Sequence, residues 1–89
     1  MEFEWDEKKR ESNLRKHGID FAYAKEIWSG ATLESSARST HNEIRRTAIG
    51  QLGARILAVV YTDRGEKRRI ISARRASRKE RAHYNHEIR

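Results

Sequence analysis

The sequence predicts an α+β fold, with helices packed on an antiparallel β-sheet of about four to five strands in the order β-α-α-β-β-β-β-α. Three observations predict it. Residues 45–74 hold three β-rich runs separated only by turns around Gly53 and Gly65, and connections that short force antiparallel neighbours. Residues 6–30 carry two helix starts, Asp6 and Asp20, each followed by a glycine stop. Ser77-Arg-Lys-Glu80 is a capping box that opens a C-terminal helix.

Taken in order, Phe3-Glu4-Trp5 alternates apolar and polar residues and reads as a short strand. Asp6 caps a helix running to about His17, where Gly18 stops it. Leu14 is the main apolar residue of that helix, which is therefore expected on the surface. Asp20 caps the second helix, in which Phe21, Ala24, Ile27 and Trp28 fall at helical spacing and form one buried stripe. Gly30 ends it. Residues 32–36 form an edge-strand candidate, and residues 45–51, 56–62 and 68–74 are the three principal strands. The run from Ile56 to Tyr61 is apolar on both faces, which marks the central strand. Strict alternation along the last strand puts Ile71 and Ala73 on one face, and Arg68, Ile70, Ser72 and Arg74 on the other.

The chain has 89 residues, enough for one domain over residues 1–89 and too few for two. At 36 % hydrophobic and 37 % charged, it must build a thin core under a heavily ionised surface. Cysteine is absent, which excludes a disulfide framework, a thiolate metal site and a thiolate nucleophile. The longest apolar run falls far short of the ~20 residues that a membrane span needs. The opening Met-Glu-Phe-Glu-Trp-Asp has no apolar signal segment, so a soluble cytoplasmic protein without a membrane partner is expected.

The formal net charge is +7, unevenly spread. Residues 1–36 carry 6 basic and 8 acidic groups; residues 37–89 carry 14 and 5. Fourteen of the 20 cations are Arg, whose planar fork grips phosphate bidentately and stacks on bases. The densest stretch is residues 64–81, with Arg64, Arg68, Arg69, Arg74 and Arg75 among its cations. A polyanionic partner is the natural reading, and charge alone does not separate nucleic acid from an acidic protein or from solubility.

Several short strings in order resemble a known family. Phe3-Glu-Trp5-Asp6, Lys9, Asn13, Lys16-His17-Gly18-Ile19 and Phe21 resemble the N-terminal signature of BrnT-type toxins. Val59-Val60-Tyr61-Thr62, Arg64-Gly65, Arg69-Ile70-Ile71-Ser72-Ala73-Arg74, Ala76, Glu80 and Tyr84 resemble the C-terminal one, and Arg45 and Gly50 fit between. Correspondence is weakest over residues 29–43, so His41 inherits no role. The resemblance implies a RelE-like fold and the toxin of a type II toxin–antitoxin system. It implies metal-independent RNA cleavage that blocks translation, with no cofactor. It also implies a BrnA-type antitoxin, in complexes of two toxins and two antitoxins, with operator DNA bound only through the antitoxin. A non-catalytic RNA- or ribosome-binding module and a protein-interaction subunit are the alternatives.

Metal-free cleavage uses the RNA's own 2′-hydroxyl as nucleophile and needs a base, an acid and cations for the phosphorane-like transition state. The catalytic candidates are His17, Arg45, Arg64, Arg74, Glu80 and Tyr84. Each also has a plain structural reading: a helix-end charge for His17, a cross-strand ion pair for Arg45, a solvated turn for Arg64, a pair with Glu80 for Arg74, the capping box for Glu80 and a core anchor for Tyr84. The RNA-binding candidates are Lys9, Asn13 and Lys16, spaced i, i+4, i+7 on the first helix, together with Arg68, Arg69, Arg75 and Trp5. Trp28 belongs to the core stripe, which leaves Trp5 as the better stacking surface. His83 and His86 with Glu87 make a weak metal motif lacking a third fixed ligand.

Overall fold

The computed structural model describes residues 1–35, 38–40 and 42–88. Strand β1 spans Glu2–Trp5, helix α1 Glu7–His17, and α2 Phe21–Ala24, continued by a 3-10 segment over Lys25–Ser29. Strands β2 (Thr32–Glu34), β3 (Arg38–Thr40), β4 (Glu43–Leu52), β5 (Arg55–Arg64) and β6 (Lys67–Arg75) precede helix α3, Arg78–Ile88. The α+β class holds, with both Asp caps in place: Asp6 accepts from the Lys8 and Lys9 amides, and Asp20 from that of Ala22.

The sheet order is β1-β6-β5-β4-β2, with β3 also paired to β4, so β5 is central as its two-sided apolarity requires. The β4–β5 and β5–β6 hairpins turn on Gly53-Ala54 and Gly65-Glu66. Each has positive φ at the glycine only, +59° and +62°, which is the II′ geometry that matches strand twist.

Two features depart from expectation. The sheet has six strands among the described residues, because the three-residue β3 adds to the edge. It is also not wholly antiparallel, since β1 pairs parallel with β6. No hairpin constrains β1, which lies more than 60 residues away in the chain.

A bulge redirects β6. Val60 pairs with Ser72 but Tyr61 pairs with Ile70, so Ile71 is the extra residue. Strict alternation is thereby broken. Arg68, Ile70 and Ala73 share the face of Leu57, Val59 and Tyr61, while Arg69, Ser72 and Arg74 share the opposite one. The expected grouping of Arg68 and Ile70 with Arg74 is corrected accordingly.

The first face packs under α2 and its 3-10 continuation: Ile19, Phe21, Ala24 and Ile27 meet Ala48, Leu57, Val59, Ile70 and Ala73. On the second face α3 covers one end, seating Tyr84 and Ala76 on Ile49, Ile56 and Ala58. The rest of that face is left open. Among the described residues no helix is long and apolar enough to cross a membrane.

Candidate active site on the open sheet face

Beside α3, on the uncovered part of this face, Ser35, Arg38, Arg45, Thr47, Val60, Ile71, Ser72 and Arg74 line an open groove of about 640 Å³. Three strands supply its arginines, and pairing brings them together: Arg38 lies opposite Arg45 across β3–β4, and Arg74 rises from β6 on the far side. Thr47 and Val60 form the floor between them, paired across β4–β5.

Arg74 is held by Glu80. Its Nη1 and Nη2 donate to Oε1 and Oε2 at 2.7 and 3.0 Å, and Nη1 also donates to the Arg75 carbonyl at 3.3 Å. A guanidinium has five N–H donors, so Nε–H and one Nη2–H remain for a ligand. Glu80 in turn accepts from the Ser77 amide at 2.7 Å and the Ser77 hydroxyl accepts from the Glu80 amide at 3.1 Å, which completes the capping box. The Arg74 bond, reinforced by that amide, holds the Glu80 carboxyl down at about 2, and Glu80 raises Arg74. Arg45 Nε donates to Glu43 at 2.8 Å, an ion pair along its own strand rather than across strands. That bond lowers the Glu43 carboxyl first of all, with smaller help from the charges of Arg64 and Lys9. Two arginine forks are therefore fixed before any ligand arrives.

The same face carries more cations toward the β5–β6 turn. Arg69 donates to Glu4 at 2.9 Å, its partner across β1–β6, and Arg64, mostly exposed, lies 3.9 Å from the same carboxylate. Lys9 and Lys16 are exposed on α1, whereas Arg75, exposed at the far end of β6, pairs with Leu57 and so belongs to the opposite face.

Other candidates are not brought to the groove. His17 ends α1 in solvent and does not line it. Tyr84 is 4 % exposed in the core under α3, and its hydroxyl donates to the Ala31 carbonyl at 2.9 Å. Asn13, only 6 % exposed, donates to the Ala73 and Ile19 carbonyls and accepts from the Ala73 amide. It thus acts as a short strand substitute on the edge of β6 beyond the end of β1. Arg68 lies on the opposite face over the Tyr61 and Trp28 rings, clamped by Asp63 at 2.8 and 3.1 Å. Trp5 is half-buried with its ring 6.1 Å from that of Phe21, edge-on, and Trp28 is packed between Phe3 and Tyr61 as core. Burial and the Glu34 carboxylate that its hydroxyl contacts push the Tyr61 phenol up. His41 lies outside the described residues.

Arg38, Thr47 and Ser35 join the groove without having been singled out from sequence. Arg38 sits on a strand of three residues, too short for periodicity to register. Its one signal is the surplus of arginine after residue 36.

A family model described as the ribonuclease toxin BrnT of type II toxin–antitoxin systems matches residues 5–80. The chain belongs to that family. No curated protein matches it. Membership makes this BrnT-family chain a ribonuclease toxin whose system includes an antitoxin protein. The matched segment contains β2 to β6 and Glu80, and so every residue of the arginine groove.

Proposed function

We propose that this toxin is a metal-independent endoribonuclease and that the groove of Arg38, Arg45 and Arg74 is its active site. One observation carries the reading: three arginines from three strands converge on an open groove whose other polar side chains, among the described residues, are the hydroxyls of Ser35, Thr47 and Ser72. Such a site binds phosphate and stabilises charge. The 2′-oxygen of the RNA attacks the adjacent phosphorus as its proton leaves to solvent, the P–O5′ bond breaks, and the 5′-oxygen takes up a proton. The products are a 2′,3′-cyclic phosphate and a 5′-hydroxyl. Arg45 and Arg74 hold the non-bridging oxygens, on which charge builds in the phosphorane-like transition state. Glu80, held near 2 by Arg74, is too weak a base to drive the attack and acts by positioning Arg74.

Lys9, Lys16, Arg64 and Arg69 extend the cationic surface that an RNA chain would follow. A BrnA-type antitoxin, in a complex of two toxins and two antitoxins, would neutralise the activity and bring the assembly to operator DNA.

The test uses antitoxin-free protein and RNA in EDTA. The expected result is cleavage to cyclic-phosphate ends, reduced about 10²–10³-fold in Arg74→Ala, the cost of one transition-state donor. Cleavage that needs a divalent ion would overturn the mechanism, and RNA bound but left intact would favour a non-catalytic module.

A further inference from the structure

The arginine groove does not end at Arg74. Ser35, which lines it, also lines two smaller recesses between β2 and α3. Half-buried Leu33 contributes apolar surface there above the buried Ile49, and Ser77, Lys79, Glu80 and His83 form the wall toward α3. Glu80 and His83, three residues apart, adjoin on one face of α3 just past the Ser77 cap. Glu80 on that face is the residue that grips Arg74. His83 stands one turn further along, a rise of ~4.5 Å. Its ring is 61 % exposed, with only a long 3.9 Å approach to Glu87.

We propose that this ledge is a nucleobase subsite, in which a base flanking the phosphate held by Arg45 and Arg74 lies over Leu33 and stacks against the His83 ring. The proposal rests on the reading of the groove as an RNA site and adds the group that recognises the nucleotide. The chemistry fits a base better than a second phosphate or an extended peptide. An apolar floor with an imidazole wall accepts a planar ring, and the Ser35 and Ser77 hydroxyls are placed at its rim to meet polar base edges. Lys79 on the outer rim is in position for the next phosphate along the strand. The ledge also adjoins the phosphate position, because Ser35 lines both and Glu80, one helical turn before His83, grips Arg74.

Stacking on a protein ring tolerates any base, so the subsite contributes chiefly affinity and orientation, and the rim hydroxyls set preference. His83 is then a substrate-contacting residue outside the arginine cluster.

The experiment compares wild type, His83→Ala and His83→Phe on a short RNA and on the same RNA made abasic at the nucleotide beside the cleaved phosphate. Wild type is expected to prefer the intact substrate about tenfold in kcat/KM. His83→Ala should lose about tenfold on the intact substrate and nothing on the abasic one, and His83→Phe should restore the preference. Equal loss on both substrates, or no loss on either, overturns the subsite. A parallel binding measurement uses the same two sequences with a 2′-deoxy group at the cleavage point. It reads the subsite even if the protein proves not to cleave RNA, which would instead sink the ribonuclease reading. If His83→Ala weakens antitoxin binding while leaving both RNA measurements unchanged, the ledge belongs to the protein partner and the proposal fails.

Discussion

Arg68 and Arg74 are both arginines of β6, yet they answer to different surroundings. Arg68 lies 4.3 Å from the Tyr61 ring centroid and 5.0 Å from that of Trp28, and its side chain is 16 % exposed. Arg74 faces the groove with two donors unused. Arg68→Ala is therefore expected to lower stability by about 1–2 kcal/mol, through lost cation–π and ion-pair contacts, and to leave RNA cleavage intact. Arg74→Ala should lose most of the cleavage and only about 1 kcal/mol of stability, through its half-exposed pair with Glu80. Urea unfolding and a cleavage assay on the same two proteins check the pair, and a matching loss of cleavage in both would remove the distinction between the faces. Asn13 makes the point with a neutral side chain. Its spacing between Lys9 and Lys16 reads as part of a phosphate-binding stripe, but burial decides otherwise, since its amide closes the Ala73 backbone edge. Asn13→Ala leaves buried N–H and C=O groups unpaired and should cost about 3 kcal/mol in denaturant unfolding, with little change in RNA affinity once folded. Spacing on a helix reveals which residues share a face and not whether that face meets water.

At the scale of elements, caps, hairpins and the central strand were legible because local chemistry decides them: Asp6, Asp20, Gly53, Gly65 and the Ser77–Glu80 box each act within a few residues. The bulge at Ile71, the parallel register of β1 and the short β3 were not, because each is decided by partners distant in the chain. The bulge matters most for the site. Arg69 and Arg74 are five residues apart and would face opposite ways on a regular strand; the extra residue turns both to the open face. The link between β6 and α3 has a pH signature. Glu80 falls from its ordinary value of 4.5 to about 2 in the folded chain, so its pairing stabilises fully above about pH 4.5. That contribution is lost as pH falls toward 2, and is on the order of 1 kcal/mol once solvent screening is allowed for. Glu80→Gln should flatten the acid limb of the stability curve between pH 4.5 and 2 and leave α3 frayed at neutral pH. Parallel acid limbs in wild type and variant would show that Glu80 is not the group responsible. Packing of the other layer can be tested at Gly50, where an added Cβ would sit 2.7 Å from the Ile27 Cβ. Gly50→Ala is expected to destabilise by about 1–3 kcal/mol, as overpacking does.

Across the whole molecule, the charge that looked like an excess in the second half of the chain is divided between faces by strand pairing. Arg38, Arg45, Arg64, Arg69 and Arg74 lie on the open face, whereas Arg68 and the aromatic cluster lie on the other. Several of these open-face arginines are already partnered by Glu4, Glu43 or Glu80 at 2.7–3.9 Å, so an arriving phosphate competes with carboxylates for donors that are held in place. Affinity should then be governed by how many forks a given RNA reaches rather than by net charge. For a short single strand confined to the groove, three arginine contacts give a log–log dependence of binding on salt with a slope of about −2. A longer strand reaching Arg64 and Arg69 should steepen it to about −3.5. Removing those two residues should return the longer strand to the shallower slope and leave the short one unchanged. A slope that is flat for both lengths, or identical before and after their removal, would mean that RNA does not run along this face, and the arginines would then be left as candidates for contact with the antitoxin alone.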